Sequence, residues 1–167
     1  LTTLEELFAD PAVSPGDVDL TGEYEEYLEV SLHVRRDPER PILTFRKLLE
    51  RDDVPPRVRG NVEAWVVALE ALRGTAPDVD PVERARTQMK QAGTNGKTQS
   101  DRDDLVYAIA ASGVLHRYVA SQPDASPAVG EAYYLLGVIE TEIGRSFWAS
   151  QAENYLETAI RIGPREP

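Results

Sequence analysis

The stretch whose residue types best suit chemistry is Gly93-Thr-Asn-Gly-Lys-Thr98. Closely spaced glycines beside a lysine and a threonine are residue types that can cradle phosphate. That chemistry needs a buried strand before the loop and a helix after it. Arg84 to Ala92 is amphipathic at helical spacing instead, and no apolar β-branched run precedes Gly93. Position 91 is Gln, so the ordinary Walker spacing fails as well. The stretch reads as a solvated loop between helices, with nucleotide binding kept as an alternative function.

The other reactive side chains form no recognisable constellation. His33 and His116 each lack a second histidine three or four residues away, so no helical zinc pair exists. Both read as structural residues on or just below a helix surface. Glu23, Glu25, Glu26 and Glu29, and likewise Asp101, Asp103 and Asp104, gather at helix starts, where negative charge suits the helix dipole. Neither group has calcium-loop spacing, and there is no Gly-x-Ser-x-Gly elbow. With no cysteine in the chain, disulfides, thiolate metal sites and cysteine nucleophiles are excluded. No catalytic residue, metal ligand set or cofactor is therefore expected.

The elements that would position any site are helices. Apolar residues recur at helical spacing in eight segments. They run from Leu1 to Ala9 (Leu4, Leu7, Phe8), Gly22 to Arg36 (Tyr24, Tyr27, Leu28, Leu32), Glu39 to Asp52 (Ile42, Phe45, Leu48, Leu49) and Arg57 to Arg73 (Val58, Val62, Trp65, Leu69, Leu72). After these come Pro81 to Ala92, Asp101 to Ser121 (Leu105, Ile109, Ser112, Leu115, Val119), Ala128 to Gly144 and Trp148 to Ile162. Asp80 is placed to cap the fifth, with Pro81 at its first position. Gly74 follows the fourth as a left-handed cap. No period-two alternation is sustained between turn signals. The 167 residues suit one all-α domain of antiparallel helical hairpins, with an irregular half over 1–100 and a long helix plus closing pair over 101–167.

With 18 basic and 29 acidic residues the net charge is −11, which repels phosphate backbones and argues against nucleic acid. No apolar run approaches the roughly 18 residues of a membrane span. The chain opens at Leu1 rather than methionine, which reads as a processed protein or a piece of a longer one. That opening and the cysteine-free composition lean towards a bacterial cell envelope rather than the cytoplasm.

Two family resemblances bear on function. Gly93–Thr98 resembles the shortened phosphate loop of Mur-ligase-type ATP enzymes, which implies that Lys97 would reach a phosphate and Thr98 a magnesium ion. The segment Gly130 to Pro167 resembles one tetratricopeptide repeat. Tyr133 stands at its large aromatic position, Leu136-Gly137 at its Leu-Gly position, and Ala152 and Ala159 at its small positions, with Pro164 closing. Glu140 stands where the pattern has a tyrosine. A fainter echo lies upstream, since Ala64-Trp65 precedes Ala132-Tyr133 by two such periods.

The second resemblance implies a right-handed superhelical array and a scaffold or adaptor. Such a protein holds another protein or peptide in a groove, without catalysis. Tyr133, Leu136, Gly137, Ala152, Ala159 and Pro164 would pack the pair. Glu131, Tyr134, Val138 and Thr141 would share the groove side, with tyrosine as an anchor. A further helix or repeat is expected beyond Pro167. The alternative is a structural helical domain attached to a larger enzyme or electron-transfer protein.

Overall fold

A computed structural model describes residues 2–73, 80–94, 103–143 and 146–163. Among them are eight α-helices and no strand. These are α1 (Thr2–Ala9), α2 (Thr21–Glu29), α3 (Glu39–Leu49), α4 (Pro56–Arg73), α5 (Pro81–Thr94), α6 (Asp103–Ser121), α7 (Pro127–Ile143) and α8 (Ser146–Ile162). The all-α expectation holds, and the helices begin and end close to the breaks read from proline, glycine and capping residues. Gly74 lies outside the described residues.

Local chemistry explains the starts. The Asp80 carboxylate accepts from the backbone N–H groups of Val82 and Glu83 at 3.0 and 3.1 Å, so α5 begins as its Asp-Pro pair predicts. Asp37 accepts from Glu39 and Arg40 before α3, and the Ser126 hydroxyl accepts from Val129 at the start of α7.

One irregularity was not foreseen. α2 continues into a π-helical turn, Val30–Arg35, closed by Arg36 in the left-handed region at φ 59°. A π turn takes up more residues than an α turn, so the side chains beyond it rotate relative to a regular helix. Leu32 is still buried, and the turn packs against α6.

The apolar stripes build two cores. The first joins α1 to α4, with Phe8, Tyr24, Tyr27, Phe45 and Trp65 in mutual ring contact and Val106, Tyr107 and Ile109 of α6 closing it. The second joins α5, the later part of α6, and α7, through Val82, Ala85, Ala111, Leu115, Ala132, Leu136 and Ile139, with Tyr155 of α8 partly buried beside them. α5 thus packs with the C-terminal helices, and the cores divide between α4 and α5. α6 serves both.

Polar ties secure the N-terminal helices to the first core. Arg51 donates to the carbonyls of Phe8, Asp10 and Val13 and to the Asp53 carboxylate, pinning the link after α1. The Tyr27 hydroxyl and the Arg40 guanidinium both donate to Glu5, at 2.6 Å each, tying α1 to α2 and α3.

Candidate functional site

α7 and α8 pair antiparallel, and two glycines set how closely. A Cβ on Gly137 would lie 2.5 Å from Leu156 Cγ and 3.3 Å from the Ala152 carbonyl oxygen. A Cβ on Gly130 would lie 2.6 Å from the Gly163 carbonyl oxygen. At Gly130 a side chain would meet backbone that cannot yield, and at Gly137 it would force Leu156 to turn or α8 to move, so both glycines set the seam. Ala152 and Ala159 of α8 are buried, Leu136 of α7 is buried in the second core, and the Tyr133 and Tyr155 rings stand 6.1 Å apart. Of the residues read as packing the pair, Gly137, Ala152 and Tyr133 meet the facing helix, Leu136 and Ala159 are buried, and Pro164 falls outside the described residues.

The expected partner-binding set separates. At about 100° per residue, Glu131, Val138, Tyr134 and Thr141 fall on one arc of α7. That arc crosses from core to solvent. Glu131 is only 6% exposed and pairs with Arg86 of α5, so it faces the protein rather than a partner. Val138 is half-buried. Tyr134, 49% exposed, and Thr141 are the outward members, and the Thr141 hydroxyl donates to the Gly137 carbonyl at 2.7 Å. The surface gains a residue that the sequence reading did not single out. Ile160 of α8 is 79% exposed, and the pairing of Gly130 with Gly163 and of Gly137 with Leu156 brings it level with Tyr134.

A second assembly was missed altogether, because its members lie far apart in sequence. His33 and His116 are not isolated: His33 Nε2 lies 2.9 Å from His116 Nδ1. The π turn presents His33, and Gly113 of α6 makes room, since a Cβ there would lie 3.3 Å from His33. His116 Nε2 lies 2.8 Å from the Tyr155 hydroxyl, and its Nδ1 lies 3.2 Å from Ser112 Oγ, which donates at 3.2 Å to Glu140. Four elements (the π turn, α6, α7 and α8) thus share one hydrogen-bonded chain.

Its donors and acceptors can be assigned by satisfaction. With the Ser112 proton on Glu140, Ser112 Oγ is the acceptor for His116 Nδ1–H. That same N–H points at His33 Nε2, which is then the acceptor, and the Tyr155 O–H donates to His116 Nε2.

Burial governs the charges. It pushes His33 down to about 4, aided by His116 and Arg117. It pushes His116 down as well, against the Ser112 carbonyl, with Arg117 adding to the fall. It pushes Glu140 up to about 6, against the Ser112 hydrogen bond and with help from Glu29. Glu140 is 2% exposed, and its second carboxylate oxygen has no hydrogen-bond partner among the described residues. The sequence did hold one trace of this chain, since Ser112 interrupts the apolar stripe of α6.

The chain can hold and pass protons, but it lines neither of the grooves described below. Among the described residues, no group of three or more histidine, aspartate or glutamate side chains is placed to hold a metal, and no helix is long and apolar enough to cross a membrane. A groove of about 550 Å³ lies between α1 and α3, lined by Phe8, Leu43, Thr44 and Lys47 among others. A shallower one lies by Pro11 and Asp52. α5 runs through Gly93 and Thr94, so a helix and not a strand leads into the glycine-rich stretch, and its remaining residues lie outside the described ones. No family model matches the chain, and no curated protein or solved structure matches it.

Proposed function

We propose that the protein is a helical interaction module that acts by binding another protein or peptide on the outward face of the α7–α8 hairpin. The observation that carries this reading is the level pair Tyr134 and Ile160. They are two large apolar side chains exposed on a face whose other α8 members, Glu153, Asn154, Glu157 and Arg161, are polar. A tyrosine and an aliphatic residue framed by charge form the usual centre-and-rim arrangement of a binding patch. The acidic members favour a partner with an apolar anchor and basic flanks. The glycine seam supports the tetratricopeptide-type reading of this pair, in which hairpins present faces to ligands and neighbours.

The test is site-specific photo-crosslinking in the native cells, with the reactive residue at position 134 or 160 and a control at exposed Gln122. One defined adduct from both hairpin positions, lost from position 160 in Tyr134→Ala, is the expected result. No adduct above the Gln122 background, or an adduct at 160 indifferent to Tyr134→Ala, overturns the reading.

A further inference from the structure

We propose that the facing imidazoles of His33 and His116 form an acid-released latch that holds the π-helical turn Val30–Arg35 against α6. The geometry carries the argument. At 2.9 Å, Nε2 of one ring and Nδ1 of the other share a single proton. When both rings are protonated, two N–H donors face each other, the bond is lost, and two like charges replace it.

The surroundings sharpen the effect. On the cationic side, Arg117 of α6 donates to the His33 carbonyl at 3.4 Å; burial pushes its guanidinium down, and the nearby charges of Arg36 at the end of the turn and Arg84 of α5 add to the fall. On the anionic side, Glu140 of α7 reaches the rings through Ser112, with Glu29 of α2 nearby. The phenol of Tyr155 meets His116, and the Tyr133 ring lies tilted beside that phenol. The ring pair is held neutral by burial, which is why both histidines are pushed down.

The held segment is poised to move. It is a π turn, it ends in a non-glycine residue at φ 59°, and it buries the Ser31 hydroxyl without a hydrogen-bond partner among the described residues. Each feature is locally unfavourable and is kept only by the contacts that oppose it. Releasing His33 lets the turn relax towards α-helical pairing, which turns His33 away from α6. Val34, already 67% exposed, would move with it.

The experiment is amide hydrogen exchange on the whole chain across falling pH, corrected for intrinsic rates, with histidine titration followed by NMR. Between pH 6.5 and about 4, amides of 30–37 should lose protection by roughly tenfold per pH unit for each proton taken up, while those of Leu136 and Ile139 keep theirs. In His33→Phe the segment should lose this pH response. His116→Gln serves the same purpose if His33→Phe does not fold. Wild-type protection of 30–37 that does not change with pH, a response unchanged in the variant that folds, or two rings titrating at the ordinary 6.5 overturns the latch.

Discussion

The α7–α8 seam gives a graded test of how close packing competes with helix propensity. Replacing a helical glycine by alanine normally stabilises, by about 1 kcal/mol in a helix interior. At Gly137 the new methyl would sit 2.5 Å from Leu156 Cγ and 2.6 Å from its Cδ2. Carbon atoms rest at about 3.5–4.0 Å, so the shortfall is about 1 Å. Leu156 must turn or α8 must move, and overpacking of this kind costs about 1–3 kcal/mol. Set against the propensity gain, Gly137→Ala should lose about 1 kcal/mol, or about 2–4 °C in Tm for a chain of this size.

At Gly130 the obstacle is the backbone carbonyl of Gly163, 2.6 Å away, which no rotamer change removes. There the net loss should reach about 2 kcal/mol or more. Gly22, in α2, has nothing within 4 Å and should gain about 0.5 kcal/mol from the same change. Urea denaturation followed by far-UV circular dichroism measures all three. Adding Leu156→Ala to Gly137→Ala removes the atoms in the way, so the double variant should be more stable than the sum of the single changes. Gly137→Ala as stable as Gly22→Ala would refute the reasoning, because propensity alone would then decide.

Three further outcomes are expected. Glu140 is raised from 4.5 to about 6, so its protonated form favours the fold: that contribution is full below pH 4.5 and lost as pH rises through about 6. It amounts to about 2 kcal/mol, so the stability difference between wild type and Glu140→Gln should change by about that much between pH 4.5 and neutrality in denaturation curves. His33 has the opposite sign: lowered from 6.5 to about 4, it contributes stability above pH 6.5 that is lost as pH falls through about 4, and His33→Phe should flatten that part of the profile. Arg51→Ala removes the donor to three backbone carbonyls and to Asp53, and should cost about 2 kcal/mol in denaturation, with exchange of the α1 amides rising first.

Much of the fold was legible because it is local. Helix starts follow from a single side chain within one turn, as at Asp80 before Pro81, and the buried faces follow from periodicity, as with Ile42, Phe45 and Leu48. The α7–α8 contact was also legible, since Gly137, Ala152 and Ala159 are small where two sequential helices must approach. The site was only partly so. Glu131 and Tyr134 share an arc on a helical wheel, yet one is ion-paired with Arg86 and the other is exposed, because the position of α5 divides that arc.

What the amino-acid sequence determines by itself here is an all-helical chain, the place of each helix along it, and the intimacy of its last pair. These depend on backbone preferences and neighbours a few residues away. The tertiary structure alone decided that α5 joins the C-terminal core, that α2 opens into a π turn, and that His33 meets His116 across 83 residues of chain. Such pairings carry no local signature. They follow from how whole helices stack to bury their stripes, and a histidine that looks structural on its own helix acquires a titratable partner only when another helix brings one within hydrogen-bond reach.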